Sequence, residues 1–271
     1  HSYRAAASLD AAIALIEEDA RQGADVYNGV HLRRRGAGAG GEANVAILTA
    51  VIADVDTSKH GLDSQKVLDA LNGLPFGGPS MVVQSGGGFH AYWLYREQID
   101  ADDATHAKHR RVSAYVRHWI NERLKPPGGW PKNKHGNDET AADDMSSRDR
   151  ILRPPGTRNM KPERAAANGG QPPAVGLHLV RPGRQFSLED LEDAIPAGFN
   201  ADAWSKKAGS RDRADGRDKT ALPTEVPAKI QRALALAGVG WRAMGAGGIQ
   251  AIKLMPCPAC GQRDGGCYIH P

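Results

Sequence analysis

Between Val45 and Asp56 the chain reads VAILTAVIADVD, an apolar run that ends in two acids. A run of this length and composition reads as a buried strand. Carboxylates are expensive to bury, so a strand that ends in two of them points to a site where charge is used. Residues two apart in a strand face the same way, which puts Asp54 and Asp56 on one side, about 7 Å apart at the backbone. Such a pair can share divalent cations, because hard oxygens are the ligands that Mg²⁺ and Mn²⁺ prefer. Two ions held this way can clamp the attacking and leaving oxygens of a phosphoryl transfer. Asp-x-Asp is common, and by itself it also describes a strand end with two exposed acids.

The rest of the chain surrounds this strand with short elements. Ser8 caps a predicted helix to about Gln22, with Leu9, Ile13 and Ile16 on one face. A short helix is expected from about Asp63 to Leu71, and strands at Ser80–Gln84 and Phe89–Tyr95 flank a Ser85-Gly86-Gly87-Gly88 turn. Asp103–Leu124 is a long helix with Val112, Tyr115, Val116 and Trp119 inward. Residues 126–148 are rich in Pro, Gly and Asp and read as a long functional loop. Short strands are expected at Ile151–Arg153 and Ala174–Val180, and Ser187 caps a helix carrying Leu188, Leu191 and Ile195. Residues 201–224 are charged and nearly free of large apolar side chains, so they read as a linker. The expected division is a catalytic domain over 1–200, that linker, and a small module over 225–271 with a helix near Val226–Leu236.

Two further constellations complement the acids. In Ser85-Gly86-Gly87-Gly88-Phe89-His90, glycines permit positive φ and let amides approach a phosphate. Ser85 can add a hydroxyl, and His90 can donate to a triphosphate oxygen. In Arg150 to Lys161 (RILRPPGTRNMK), Arg153, Arg158 and Lys161 surround a stiff Pro-Pro-Gly-Thr turn. Rigid cations of this kind suit phosphate oxygens. Taken singly, the first is also a plain hairpin and the second a basic surface loop.

In order, these segments are an aliphatic run into Asp-x-Asp, Ser-Gly-x-Gly-x-His before a Tyr-Trp strand, and Arg-x-x-Arg-x-Pro-Gly-Thr-x-Asn-x-Lys. The combination resembles the archaeo-eukaryotic primase superfamily, and is most similar to the primase-polymerases of phages and plasmids. The resemblance spans roughly Val26 to Val180. It implies an α/β core with an RNA-recognition-motif-like sheet, and a DNA-dependent primase-polymerase that joins nucleoside triphosphates on a single-stranded DNA template. Asp54 and Asp56 match the metal-binding pair. Ser85 and His90, with Gly87 and Gly88 in the turn, match the nucleotide-binding motif. Arg153, Asn159 and Lys161, with Arg158 beside them, match phosphate-contacting positions. A third metal-binding carboxylate belongs shortly before the Arg-Pro-Gly segment. Asp143, Asp144 and Asp149 are the choices, and Asp144 is preferred because it precedes apolar Met145. Pro154 departs from the pattern, where an aliphatic residue is usual. A helicase in the same chain or as a partner fits such a protein.

Cysteines occur only near the end of the chain. Cys257-Pro258-Ala259-Cys260 reads as half of a structural zinc site. The other half is Cys267 with His270, or a pair beyond Pro271. The chain starts at His1 and stops just after this cluster, so it reads as a piece of a longer protein. The clustering fits a metal site in a reducing cytoplasm better than a disulfide framework. No apolar stretch is long enough to span a bilayer. Leu9 to Ile16 is interrupted by Asp10 and followed by Glu17, Glu18 and Asp19, unlike the core of a signal peptide. A net charge of +4 and a pI near 9.0 favour polyanionic partners only weakly. The local concentrations Arg33–Arg35 and Lys108–Arg111 say more. Two alternatives stand beside the enzyme reading: a replication-initiation module that holds DNA without catalysis, and a metal-dependent nuclease. A nuclease needs no triphosphate pocket.

Overall fold

The computed structural model describes residues 6, 8–34 and 41–204, and the strands at 240–244, 251–255 and 268–269. The chain divides into two compact units, His1–Lys207 and Ala208–Pro271. The first unit is mixed α/β. Its elements are α1 (Leu9–Arg21), β1 (Asn28–Gly29), β2 (Leu32–Arg33), β3 (Val45–Asp56), α2 (Ser64–Asn72), β4 (Met81–Gln84), β5 (Gly88–Asp100), α3 (Asp103–Leu124), β6 (Ile151–Leu152), α4 (Pro162–Ala167), β7 (Gly176–Val180) and α5 (Leu188–Asp193).

The aliphatic run forms β3, and its partners make an antiparallel sheet in the order β2-β3-β5-β4-β7. The register of β3 against β5 shifts between Leu48 and Ala50. Beyond that shift the strand alternates cleanly. Val51, Ala53 and Val55 join Trp93, Phe89 and Val82 beneath Val67 and Leu71 of α2, Val112, Val116 and Ile120 of α3, and Leu188 and Leu191 of α5. Fully burying each of the larger side chains contributes about 1.5–3 kcal/mol. Ala50 and Ile52 look the other way, into a smaller cluster with Val83, Tyr92, Met145, Leu152 and Val175. One face of the sheet thus carries α2, α3 and α5. The other carries the segment from 145 to 175, with β6 and α4 in it, and it is the face that Asp54 continues.

The helices start where side chains satisfy their first amides. Ser8, Asp63, Asp102 and Ser187 accept from Ala11, Lys66, Thr105 and Asp190 respectively, as N-caps do. Helix α3 matches its expected bounds. Trp119 is only partly buried and donates Nε1 to Ala70 O at 3.1 Å. Helix α1 forms as expected, yet Leu9 and Ile13 are 75% and 44% exposed and none of its residues is buried. Helical periodicity fixes the shape of a segment but does not supply a partner for its apolar stripe. Strand β5 runs on to Asp100, beyond the Tyr95 expected, because it keeps pairing with β3 past the shift.

Residues 201–204, expected to open a linker, instead make a short turn against α3. Arg117 Nη1 donates to Trp204 O at 2.6 Å, and the ring of Trp204 lies 4.6 Å from that of His118. The second unit contains an antiparallel sheet of β8 (Gly240–Met244), β9 (Ala251–Met255) and β10 (Tyr268–Ile269) in the order β10-β9-β8. The expected helix at 226–236 and the zinc candidates Cys257, Cys260, Cys267 and His270 lie outside the described residues. Among the described residues, no helix is long and apolar enough to cross a membrane.

Candidate active site

Pairing puts Asp54 across from His90, and Asp56 across from Gly88. Strand β2 covers only the start of β3. Near Asp56 the vacated edge is taken by residues 141–143. Asp56 N donates to Ala141 O and Asp143 N to Asp54 O, each at 2.9 Å, around an antiparallel bridge between Val55 and Ala142. That register sets Asp143 opposite Asp54, and cross-strand neighbours share a face. His90, Asp54 and Asp143 therefore form a row across three adjacent segments. Ala142 is fixed from behind by fully buried Asn121, whose Oδ1 accepts from Ala142 N at 2.9 Å and whose Nδ2 donates to Ala142 O at 3.2 Å.

The row is electrostatically loaded. The Asp54 carboxyl is pushed up to about 7, first by burial and then by the charges of Asp143 and Asp56, while Lys161 and Arg153 pull it down. Its side chain is still 32% accessible, so the desolvation comes from the walls around it and not from full enclosure. The His90 imidazole is lowered to about 4 by burial and then by Arg153. His90 Nε2 lies 3.7 Å from Asp54 Oδ1, too long for a hydrogen bond. With the imidazole neutral, the two are neighbours and not an ion pair. His90 Nδ1 is buried with no hydrogen-bond partner among the described residues.

Asp56 is engaged differently. Its Oδ2 lies 2.6 Å from Arg164 Nη2, and its Oδ1 accepts from Lys59 N at 2.9 Å. Arg164 lies against the glycine turn. The turn itself is held by Gly87 O, which accepts from Thr57 N at 3.1 Å, Thr57 Oγ1 at 3.0 Å, Ser58 N at 3.0 Å and Ser58 Oγ at 2.9 Å. Gly88 is required by close approach, since a Cβ there would sit 1.9 Å from Val55 O. Ser85 is buried, and its amide donates to Gly88 O at 2.9 Å.

The basic segment divides into contributors and braces. Lys161 and Arg153 reach Asp54 through their charge. Arg153 is itself committed: Nε and Nη2 donate to the two oxygens of Asp25 at 2.8 Å each, and its guanidinium covers the Tyr27 ring at 4.4 Å and hydrogen-bonds the Tyr27 hydroxyl. Asn159, expected at a phosphate, is buried and donates Nδ2 to Ser85 O at 3.0 Å, tying this segment to the glycine turn. Arg158 is exposed and donates to Pro172 O at 2.9 Å. Asp144, the preferred third acid, is buried and accepts from Ser146 N at 3.0 Å and Ser146 Oγ at 2.6 Å. Asp149 accepts from Ser147 Oγ at 2.5 Å. The residue aligned with Asp54 is Asp143, the second choice.

No protein-family model and no curated protein sequence matches the chain. Among solved structures, it is similar to the AEP domain of the Cyanophage S-2L primase-polymerase, at 16% identity with a TM-score of 0.44. The match covers 68% of this chain and 76% of that one. The site is therefore read from its own residues.

Among the described residues, no group of three or more His, Cys, Asp or Glu side chains is closed up as a metal cage. Both oxygens of Asp56 are already taken. The acids nevertheless fit divalent cations in chemistry. Burial and the charges of Asp143 and Asp56 disfavour ionisation of Asp54, and a guanidinium already neutralises Asp56. Asp25, Tyr27 and Arg164 went unrecognised in the sequence. For Arg164 a signal exists, because Pro162-Glu163 after Lys161 reads as the first turn of a helix and so carries the basic segment back over the acids. For Asp25 and Tyr27 only the i, i+2 spacing was visible.

Proposed function

We propose that this chain is a metal-dependent nucleotidyltransferase of the primase-polymerase kind, which adds nucleoside triphosphates to a strand templated by single-stranded DNA. The observation that carries the reading is the His90–Asp54–Asp143 row beside Asp56, bordered by a glycine turn and by Lys161. Acids with the chemistry of cation ligands thus stand beside donors with the chemistry of phosphate binders, which supports this reading. Asp54, Asp143 and Asp56 would hold the divalent ions, Mg²⁺ or Mn²⁺. When bound, such ions offset charge on the attacking and leaving oxygens of an in-line displacement.

The chain's own side chains supply the rest. A 3′-hydroxyl of the growing strand gives up its proton to water and attacks the α-phosphorus, the bond to the bridging oxygen breaks, and pyrophosphate leaves. Neutral His90 can donate Nε2–H to a phosphate oxygen that approaches the ring from the open side of the row. Ser85 and the turn amides line the path of the triphosphate. Lys161 provides positive charge toward Asp54, while Arg153, clamped by Asp25, keeps the wall behind it rigid and cationic. Asn159 holds the turn and the basic segment in one piece. Template DNA would meet the basic surface of the first unit, and zinc in the second unit remains the reading of its Cys-x-x-Cys pair.

The test is incubation with labelled nucleotide, Mg²⁺ or Mn²⁺, and primed or unprimed single-stranded DNA. Extension that Asp54→Ala abolishes is the expected result. Degradation of the DNA would indicate a nuclease, and binding without any reaction would indicate a DNA-holding module.

A further inference from the structure

Arg164 touches each of the three chemical segments at once. Its Nη2 lies 2.6 Å from Asp56 Oδ2, at the end of the first. Its guanidinium packs on Gly87 in the second, where an added Cβ would come within 2.8 Å of Nε and 2.9 Å of Cζ. Its helix, α4, begins directly after Lys161, at the close of the third, and Arg164 N donates to Lys161 O at 3.0 Å. The side chain is 14% exposed. Asp56 faces Gly88 across the strand pair, so no side chain competes with the guanidinium for that space.

We propose that Arg164 is a nucleotide-binding residue with two alternative partners. In the empty site it neutralises Asp56. When a cation and a triphosphate arrive, the guanidinium leaves the carboxylate for a phosphate oxygen above the glycine turn, and Asp56 becomes a cation ligand. This deepens the nucleotidyl-transfer reading and rests on it.

The chemistry favours such an exchange. A guanidinium presents its donors in a planar fork that suits carboxylate and phosphate alike, so the positive charge changes partner without being left unpaired. The missing side chain at Gly87 is what lets the fork lie flat on the turn, within reach of both. The exchange also has a thermodynamic signature. A cation binding alone must evict Arg164, and a triphosphate binding alone must draw it from Asp56. Together, each ligand releases what the other needs, so their affinities are coupled through this residue.

The experiment measures Mn²⁺ binding by electron paramagnetic resonance and binding of a non-hydrolysable deoxynucleoside triphosphate by calorimetry, on wild type, Arg164→Gln and Asp54→Asn. Arg164→Gln should bind Mn²⁺ alone about tenfold more tightly than wild type, and the Mn²⁺–triphosphate about tenfold more weakly, as expected for loss of a charge-assisted hydrogen bond. Unchanged or weaker Mn²⁺ binding, or unchanged triphosphate binding, overturns the proposal. Asp56→Asn covers the case in which Arg164→Gln does not fold. It frees Arg164 without altering it, and should tighten triphosphate binding in metal-free buffer several-fold; no gain overturns the exchange. The underlying reading fails separately, and takes the proposal with it, if wild type binds neither ligand and Asp54→Asn changes nothing. If wild type binds both and Arg164→Gln behaves as wild type, the Arg164 exchange alone falls.

Discussion

His90 Nε2 stands 3.7 Å from Asp54 Oδ1 across the central strand pair, while Nδ1 of the same ring is buried without a partner. An unsatisfied buried nitrogen costs about 1–3 kcal/mol. His90→Leu, which keeps most of the volume, should leave the melting temperature equal or higher and weaken nucleotide use about ten- to a hundredfold. Single-stranded DNA affinity should hardly change. A fall in melting temperature with nucleotide use intact would remove His90 from the nucleotide site.

Asp54 links the site to stability. Its folded value is about 7 against an ordinary 3.8. A group raised on folding contributes stability that is complete below its unfolded value and is lost as pH rises through the folded one. Metal-free wild type therefore carries a penalty at pH 8 that Asp54→Asn does not. With the partial exposure of the side chain, the variant should be more stable by on the order of 1–2 kcal/mol at pH 8 and similar to wild type near pH 3.5. Chemical denaturation in a chelator reads this directly. Equal stability at pH 8 would show that neither burial nor the neighbouring charges raise the Asp54 carboxyl.

The neighbouring acids separate function from folding. Asp143→Asn should abolish nucleotide joining while leaving melting nearly unchanged, because Asp143 is exposed and aligned with Asp54. Asp144→Asn should do the opposite. It weakens the bonds from Ser146, costs about 1–3 kcal/mol, and leaves activity per folded molecule intact. Exchanged phenotypes would return the third acid to Asp144.

Acid should unfold the protein through buried imidazoles on the far side of the core. His31 is lowered to about 4, first by burial and then by His106. His109 is held well below its ordinary value by burial, with His31 and His106 adding to the effect. Thr49 N donates to His31 Nδ1 at 3.2 Å, so charging that ring breaks a hydrogen bond. For groups depressed on folding, stability is complete above the unfolded value of 6.5 and is lost as pH falls through the folded value. Stability should drop from about pH 6.5 toward pH 4, by up to about 1.4 kcal/mol per pH unit for each ring that must charge. His31→Asn keeps an acceptor for Thr49 N and should flatten that slope; an unchanged slope would assign acid loss to other groups.

Much of the frame was legible because local rules agree with packing. The run ending at Asp56 and the amphipathic span of α3 both have capped or charged ends and long, consistent apolar patterns. What escaped was set by pairing. Whether residue 143 or 144 faces Asp54 depends on which of them meets β3 in register, and a loop sequence holds no record of that parity. The charge of Arg153 bears on Asp54, but its engagement by Asp25 joins residues far apart in the chain. The apolar stripe of α1 forms on one helix face, yet Leu9 and Ile13 stay exposed, since a stripe states a preference and not a partner.

The clamp on Ala142 gives the site an unexpected tolerance. Asp143 takes its place from β3 on one side and Asn121 on the other, and Trp130 anchors the preceding span in the core, so the freedom of length lies at the exposed turn over 134–136. Lengthening that turn, or grafting a foreign domain into it, should leave the acids where they are. That turn is thus a port at which a new binding domain could be attached without disturbing the row of acids.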